Sequence, residues 1–367
     1  MWKRGKTAAA SGAGRMTSTG IALMRVDSPA SAGAWHTIYQ ADREALPSQS
    51  HSWAAALQSF GNYRDASRLY EFSDGVRAIV PMFAGRIPSK HLAAQYSPPA
   101  AWGFGGTIST TPLASEHIHA IMRDIGALPA ILTHIRPNPL HADLWNSAIP
   151  PGWTSVPRTA HVLDLGIGFE TILSKKFHSD ARYGIRRAEK AGLEVISGSD
   201  SALIADFHTL LRRSFERWAK RQGEPIALAR WRGLRRDPEA KFLAMAASGT
   251  AFRIWLAKLD GKPIAAILVL RDKEAHYTRG AMIEEFARPT HANYLLHYRA
   301  IEDACAAGCS HYHMGETGNL ASLAKFKSQF GAEPIQYAEY RRERLPIRRM
   351  DRAIRNAVKR VIGFRDD

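Results

Sequence analysis

Cysteine is almost absent from this sequence. Among 367 residues only Cys305 and Cys309 occur, four positions apart near the end of one predicted helix. A small secreted protein that is held together by disulfides needs several cysteines at regular spacings, so that class is excluded. The cysteine content therefore indicates a protein of a reducing compartment.

Long hydrophobic runs are also missing. No stretch approaches the roughly 18 apolar residues that a membrane-spanning helix needs. The first twenty residues are basic but lack the apolar segment of a secretory signal, so residues 1–20 are predicted to be a disordered leader. These absences favour a cytoplasmic protein, with peripheral contact to the inner face of the membrane as the only membrane association we expect.

The usual signatures of metal, dinucleotide and covalent-nucleophile sites are absent. HIH at 117–119 and HYH at 311–313 pair two histidines, but no third ligand has a recognisable spacing, and neither HExxH nor CxxC occurs. GFGG at 103–106 lacks the preceding strand and following helix of a dinucleotide-binding loop. No G-x-S-x-G elbow is present. We therefore predict no metal, and chemistry that needs no enzyme nucleophile.

Positive charge, in contrast, is abundant. Fifty Lys and Arg against 34 Asp and Glu give a net charge of +16. Such an excess predicts an anionic partner, which can be nucleic acid, a phosphate-bearing substrate or an acidic membrane surface. The length predicts two domains of about 150 residues each rather than one.

The predicted helices and strands follow in mixed order. In the first half we predict a helix at 53–60, a hairpin at 68–83, a helix at 115–126 and a strand at 130–135. In the second half we predict a strand at 161–165, helices at about 169–191 and 202–221, a three-stranded meander over 252–280, a helix at 291–307, a strand at 311–315, a helix at 320–330 and a final strand from 334. The boundary is placed near residue 160, giving an N-terminal domain over 21–160, a C-terminal domain over 161–344 and a tail over 345–367.

Lys327 is the first candidate site residue. On a helix, one apolar arc contains Leu320, Leu323, Phe326 and Phe330. Lys327 lies inside this arc, and Lys325 points roughly the opposite way. A fixed cation in a water-poor site can stabilise negative charge that develops on a reacting oxygen. The alternative is a lysine whose stem follows the edge of the core to water, or one paired with an acid.

Glu316 is the second candidate. It follows the predicted strand HYHMG, and a carboxylate at a strand end can take a proton from a substrate group as general base. A role as helix cap or charge partner, for example of Lys327, stays open.

Two further sets of residues are candidates for binding substrate. Arg182 and Arg186 recur at i and i+4 on one helix, and such a basic ridge suits phosphate, although a solvated helix face is the alternative. Tyr277 and Arg279 share one face of a strand by simple alternation, so they bind substrate if that face lines a cleft; otherwise Tyr277 belongs to the core and Arg279 pairs locally.

Three motifs in this order resemble the FemABX-like branch of the GNAT acyltransferase superfamily. They are R-x3-R-x-A-x3-G from Arg182 to Gly192, the segment from Tyr294 to Ala304, and F-K-x2-F-G from Phe326 to Gly331. The resemblance covers about residues 35–345. It implies an α+β protein of two tandem GNAT-like domains, each a mixed, mostly antiparallel sheet flanked by helices.

The same resemblance implies a reaction and further site residues. The reaction is transfer of an acyl or aminoacyl group to an amine, the lysine of F-K-x2-F-G acts on substrate or on the reacting carbonyl, and Asn293 and Tyr294 join the substrate-binding residues. A glycine-rich loop for the coenzyme A pyrophosphate is expected before the helix at 291–307, but FARPTHANYLLHY has no glycine. The donor can therefore be acyl-CoA or aminoacyl-tRNA.

The predicted function is an acyltransferase that acts on an amine of a cell-envelope sugar or peptidoglycan precursor, small and anionic or lipid-linked. The alternative is a non-catalytic basic protein of the same fold that holds nucleic acid or an anionic membrane surface. Nucleic-acid binding would fall steeply with salt.

The C-terminal tail is predicted to be a basic amphipathic helix. From Arg341 to Asp367 there are ten basic and four acidic residues, and Met350, Ile354 and Val358 recur at helical spacing. Such a helix can dock on the protein or lie on a membrane surface.

We predict that residues 345–364 bind anionic lipid vesicles reversibly, because each basic residue near the surface contributes on the order of 1 kcal/mol. Vesicle sedimentation of the full chain and of a chain without Leu345–Asp367 measures this. Equal sedimentation of the two proteins would contradict membrane contact through the tail.

Overall fold

A computed structural model describes residues 20–85, 93–249, 252–318 and 320–345 of the chain. The predicted leader lies outside these ranges except for Gly20, and the predicted tail lies outside them except for Leu345. The predicted amphipathic tail helix is therefore not described.

Strands and helices alternate irregularly along the chain. The strands are β1 (Leu23–Asp27), β2 (Tyr63–Asp65), β3 (Arg68–Phe72), β4 (Arg77–Val80), β5 (Phe83–Gly85), β6 (Ala94–Ser97), β7 (Ile108–Ser109), β8 (Leu132–Ile135), β9 (Thr154–Asp164), β10 (Glu194–Gly198), β11 (Phe252–Leu259), β12 (Lys262–Arg271), β13 (Ala275–Met282), β14 (His311–Glu316) and β15 (Glu333–Glu343). The helices are α1 (Ala32–Ala41), α2 (His51–Ser59), α3 (Ser115–Ala127), α4 (Ala142–Ser147), α5 (Phe169–Thr171), α6 (Ser179–Lys190), α7 (Ser201–Gln222), α8 (Ile226–Arg236), α9 (Glu239–Ala247), α10 (Glu284–Ala287), α11 (Ala292–Ala306) and α12 (Ala321–Ser328).

Two sheets organise these elements. The smaller sheet has the order β1-β3-β4-β7, and the larger one has eleven strands in the order β10-β11-β12-β13-β14-β9-β15-β8-β6-β5-β2. Pairing is antiparallel except between β13 and β14 and between β6 and β8. The predicted α+β class with mostly antiparallel sheets is confirmed. Among the described helices, none combines the length and the apolar character that crossing a membrane requires.

The large sheet runs through both halves of the chain. β9 spans the predicted domain boundary near residue 160 and pairs with β15 on one side and β14 on the other. A hydrophobic core also joins the halves, because Trp35 and Trp53 belong to the same buried cluster as Phe207 and Leu268. The division into domains stays a prediction.

The sequence predicts one long helix at about 169–191, and this prediction is wrong. α5 continues into a π-helical turn over Ile172–Lys176, and the chain is extended at Phe177 before α6 begins. Gly192 lies just beyond the end of α6 with φ +69°, as expected of a residue that ends a helix.

Packing explains the break. The buried ring of Phe177 meets that of Phe330 edge-to-face, with 5.2 Å between the ring centroids. Arg182 donates to the backbone carbonyls of Ser174, at 3.3 Å, and of Phe177. Carbonyls at the end of a helical segment need such partners, so the guanidinium of Arg182 stabilises the interruption.

β13 and β14 separate soon after they pair. Their parallel pairing is limited to Ala275 with Tyr312 and His276 with His313. The register of β13 against β12 then shifts at Thr278, and that of β14 against β9 shifts between His313 and Gly315. Because each bulge adds a residue and bends its strand, the two strands open into a cleft beyond these pairs.

A buried carboxylate holds one side of this cleft in place. The side chain of Asp237, between α8 and α9, has no solvent exposure. Its carboxylate oxygens form ion pairs with Lys241 Nζ at 2.8 Å, Arg236 Nε at 2.7 Å and Arg279 Nε at 3.3 Å. Burial alone would raise its pKa, but the three cations, Arg279 foremost, hold the pKa of Asp237 well below its usual range. Lys241 and Arg279 also donate to the carbonyl of Ala101, which fixes an N-terminal loop to the second half.

We predict that Asp237→Asn lowers the free energy of unfolding by about 3–5 kcal/mol, because it leaves three cations around a neutral buried group. Chemical denaturation at pH 7 measures the loss, with Glu189→Gln on the exposed face of α6 as the control. A loss no larger than that of the control would show that the buried carboxylate contributes little.

Candidate functional site

The cleft between β13 and β14 contains a cavity of about 300 Å³. Its walls come from both strands, from the loop around Phe104, from α7 and α12, and from Arg136 just after β8. The predicted residues that line it are Tyr277, Arg279, Glu316 and Lys327. Four of the eight predicted site residues are therefore brought together.

Lys327 is the buried cation that the helical pattern predicted. The residue is 1% exposed, and its Nζ donates to the backbone carbonyls of Gly315, at 2.8 Å, and Glu316, at 2.7 Å. Burial lowers the pKa of Lys327 to about 7, with a partly opposing effect from Glu316. Lys325 is exposed on the other side of α12, as predicted.

Glu316 does not form a side-chain ion pair with Lys327, since the contact is to its backbone oxygen. Its carboxylate instead accepts a hydrogen bond from the Tyr337 hydroxyl and lies 3.7 Å from Arg136 Nε. Arg136 is in turn bound by Glu339, whose side chain has no exposure, at 2.8 Å. The carboxylate of Glu316 is therefore oriented from two sides and borders the cavity.

Tyr277 and Arg279 line the cavity from opposite faces of β13, so the expectation of a common face is wrong. The bulge at Thr278 breaks the alternation, with the result that Tyr277 lies opposite Val269 and Arg279 opposite Leu268. Tyr277 packs edge-on against His297, and burial raises the pKa of Tyr277 to about 12. Its hydroxyl is thus neutral at physiological pH.

Arg279 is largely committed to the protein. Besides Asp237 and the carbonyl of Ala101, its guanidinium donates to the carbonyl of Thr278 at 2.6 Å. The local pairing that the sequence left open is therefore present, and Arg279 contributes to the cavity mainly as a fixed wall.

The other four predicted residues do not line the cavity. Arg182 caps the broken helix, and Arg186 is exposed on α6. Asn293 Nδ2 lies 3.1 Å from the sulfur of Met282, and Tyr294 donates to Gln329 at 2.8 Å. The ring of Tyr294 also fills the space beside Gly184, where a Cβ would lie 2.7 Å from it.

Sequence reasoning missed several residues of the cavity wall. Phe104, Arg136, Trp218 and His276 line it together with the predicted residues. The helical and strand patterns gave no signal for them, because two of the four come from the first half of the chain and meet the cleft only in the folded sheet. HYH at 311–313 was a partial signal, since His313 pairs with His276 across β13 and β14.

The segment before α11 has no glycine, and His291 at its end has φ +55°. Its short helix α10 starts with Glu284 and Glu285, and Glu284 pairs with Arg221 of α7 at 2.6 Å.

Among the described residues, no group of three or more His, Cys, Asp or Glu side chains is arranged to hold a metal ion.

Comparison with known proteins agrees with this architecture. A family model described as an acetyltransferase (GNAT) domain matches residues 175–328. The crystal structure of FemX superposes with a TM-score of 0.63 at 13% identity, over 87% of this chain and 97% of that one. No curated protein matches the sequence.

Two other solved structures are also similar in fold. A conserved protein of unknown function from Bacteroides thetaiotaomicron superposes with a TM-score of 0.53 at 12% identity, covering 86% of this chain and 99% of that one. The C-terminal domain of a candidate lysylphosphatidylglycerol synthetase from Agrobacterium fabrum gives 0.51 at 12% identity, covering 89% and 95%.

These comparisons confirm the predicted tandem GNAT-like fold and the predicted resemblance. Residues 175–328 therefore match a GNAT acetyltransferase domain, and the chain as a whole has a GNAT-type acyltransferase fold similar to that of FemX.

Proposed function

We propose that this protein transfers an acyl or aminoacyl group from an activated donor to an amine, with the cavity between β13 and β14 as the reaction site. The observation that supports this most directly is the buried ammonium of Lys327 at the cavity wall. An ammonium has three N–H donors, and the described residues engage two of them through the carbonyls of Gly315 and Glu316. The third remains for a ligand oxygen.

In the proposed reaction, the amine attacks the donor carbonyl directly. The carbonyl oxygen becomes an oxyanion in the tetrahedral intermediate, and Lys327 stabilises that charge by a short charge-assisted hydrogen bond. Glu316 accepts the proton that the attacking ammonium must lose, while Tyr337 and Arg136 keep its carboxylate in position. Collapse of the intermediate forms the amide and expels the donor's leaving group, which takes up the second proton lost by the amine nitrogen.

The remaining predicted residues keep narrower proposed roles. Tyr277 can donate its neutral hydroxyl to a polar group of the substrate, and Arg279 supplies positive potential from the wall. Arg186 is the ridge residue that is free to reach the phosphate of a larger acceptor, because it is exposed. We propose only indirect roles for Arg182, Asn293 and Tyr294, whose polar groups are engaged within the protein.

Donor and acceptor are proposed from the similar folds and from charge. FemX and a candidate lysylphosphatidylglycerol synthetase are among the similar structures, and the latter name denotes an aminoacylated anionic lipid. Together with the glycine-free segment before α11, this favours aminoacyl-tRNA as donor over acyl-CoA. The net charge of +16 favours an anionic acceptor, for which we propose a cell-envelope sugar or peptidoglycan precursor in the cytoplasm or at the inner face of the membrane.

The alternative of a non-catalytic basic binding protein does not explain the site. Binding a polyanion requires exposed cations, whereas Lys327 is buried at considerable energetic cost. A direct test incubates the protein with acyl-CoA and aminoacyl-tRNA donors and a set of amine acceptors. Mass spectrometry then detects the amide product.

Lys327→Met should lower kcat by roughly 10²–10³-fold, equivalent to about 2.7–4 kcal/mol of transition-state stabilisation, by analogy with loss of one oxyanion-hole donor. Methionine keeps most of the packing of the lysine stem. Lys325→Met is the matched control, and it should change kcat little because Lys325 is exposed. Equal small effects of the two substitutions would return Lys327 to a structural role.

Stability against pH tests the buried charge of Lys327 without an activity assay. The pKa is about 7 in the folded protein against 10.5 ordinarily, so between these values the unfolded chain binds more protons. The wild type should therefore gain stability as pH rises from about 7 to about 10, an effect on the order of a few kcal/mol. Lys327→Met should gain less than the wild type in urea unfolding at pH 6, 7.5 and 9, because Lys241, whose pKa is also lowered to about 7, contributes equally to both proteins. Parallel curves for the two proteins would contradict burial of the Lys327 charge.

A further inference from the structure

Four titratable residues lie on one side of the sheet where β13 and β14 pair. Glu274 directly precedes β13 and is two positions from His276, and His311 and His313 are two positions apart on β14. Because side chains alternate along a strand and His276 pairs with His313, all four project to the same side. We call this set the His-Glu row.

The row leads from the cavity towards solvent. His276 lines the cavity, and 6.1 Å separates its ring centroid from that of His313. His313 Nε2 is 3.5 Å from Glu274 Oε2, and His311 Nδ1 donates to Glu274 Oε1 at 3.0 Å. The side chain of His311 is 23% exposed, whereas Glu274 and His313 have no exposure. One end of the row therefore meets the cavity and the other meets water.

The buried part of the row contains polar atoms without hydrogen-bond partners. They are His276 Nδ1, both ring nitrogens of His313, and Glu274 Oε2. Buried polar atoms are rarely left unpaired, and a cluster of four in one place indicates bound water or a functional role. A metal ion does not account for them, since these side chains are not arranged to hold one.

The ring of His276 is oriented so that it can act from both sides. Its Nδ1 is buried in the interior. Its Nε2 is on the side of the cavity wall, near Gly315: a Cβ built at Gly315 would lie 4.0 Å from this nitrogen. The ring stacks on Phe104 with 4.9 Å between centroids, which fixes its plane. An imidazole held in this way can accept a proton at one nitrogen and release one at the other.

The outer end of the row is suited to exchange protons with water. The side chain of His311 is partly exposed, and the hydrogen bond to Glu274 raises its pKa. The exposed pair of His141 and Glu44, 2.8 Å apart, lies near this end and interacts electrostatically with His311 and His313. Burial foremost, and then the nearby His313, Arg279, Lys327 and Arg136, hold the pKa of His276 well below its usual range, which disfavours a lasting positive charge on the ring.

We propose that the His-Glu row, with water bridging His276 and His313, forms a proton path that carries the proton released in the cavity out to solvent. This rests on the proposed acyl transfer. An ammonium and an acyl donor give an amide, the protonated leaving group and one further proton, so each turnover must discharge one proton from the cavity. Glu316 takes that proton first and can return to its ionised form only if the proton leaves.

The distance between the two histidines fits one bridging molecule. Ring centroids 6.1 Å apart allow nitrogens of the two rings to share a single water, and water-mediated hydrogen bonds of this kind are nearly as favourable as direct ones. From His313 the path continues through the carboxylate of Glu274 to His311. Each step uses a group that can both accept and release a proton.

Proton exchange at His313 tests the path without an activity assay. In protein labelled with ¹⁵N-histidine, NMR measures how fast the imidazole N–H of His313 exchanges with bulk water. We expect Glu274→Gln, which has nearly the same shape, to slow this exchange by roughly tenfold or more, because the link to His311 is lost. His297 is an internal control: it is also buried, it is bonded to Tyr312 at 3.2 Å, and it lies off the row.

Two results of the exchange measurement would overturn the proposal. One is an imidazole proton of His313 in the wild type that exchanges as slowly as that of His297. The other is an exchange rate of His313 that is unchanged in Glu274→Gln. If Glu274→Gln does not fold, His311→Phe removes the link between Glu274 and water, and it should slow the exchange of the His313 proton with bulk water to a similar extent.

Activity measurements separate this proposal from the proposed function. If the wild type transfers an acyl group, both variants should lower kcat by roughly 10²-fold with little change in KM and in melting temperature. Unchanged kcat with slowed exchange would also overturn the role in catalysis. If the wild type transfers no acyl group, the proposed function fails, whereas the exchange comparison still decides whether the path exists.

Discussion

The carboxylate of Asp237 has no contact with water, and three cations converge on it. A buried charge of this kind is stable only while its partners stay in place, because removing any of them leaves unpaired charge in the interior. The partners belong to the α8–α9 junction and to β13, and Lys241 and Arg279 also hold the carbonyl of Ala101. One ionic cluster thus couples three segments that are distant in sequence. The shape of the cavity follows, since Ala101 and Arg279 are parts of its wall.

Around the cavity, cations and anions are not distributed in simple pairs. Asp237 neutralises Arg279, and Glu339 neutralises Arg136, but neither carboxylate lines the cavity. Lys327 has carbonyl dipoles instead of a carboxylate as its partners. Lys327 therefore forms no ion pair with a carboxylate among the described residues, and burial lowers its pKa to about 7. Its charge is available to a negative charge that develops in the cavity.

Local patterns in the sequence predicted much of the fold. Helices such as α2, α3 and α7 and the meander β11–β13 were predicted within a few residues, because apolar periodicity, turn residues and terminal glycines act over short distances. Lys327 was predicted for the same reason: a helical wheel is enough to place it inside the apolar arc. The fold class and the resemblance were also right.

What the sequence did not predict depends on contacts between distant segments. The bulge at Thr278 adds one residue to a regular alternation, and nothing local marks it, so Tyr277 and Arg279 were assigned to one face. The helix break at Phe177 depends on the ring of Phe330, more than 150 positions away. Arg136 reaches Glu316 across the large sheet. The periodicity of apolar residues along the sequence carries no information about contacts between such distant segments.

The continuity of the eleven-stranded sheet has a mechanical consequence. β9 and β15 pair from Glu333 with Val162 to Arg341 with Thr154, and β15 then continues to β8 in the first half. A hinge motion between the two halves would have to break the hydrogen bonds between these strands and separate the shared hydrophobic core. Such a motion costs far more free energy than rotation about a flexible linker. Ligands must therefore enter and leave through the mouth of a nearly rigid cleft. Loops and side chains at its rim, rather than a hinge between the halves, would control the rate of that exchange.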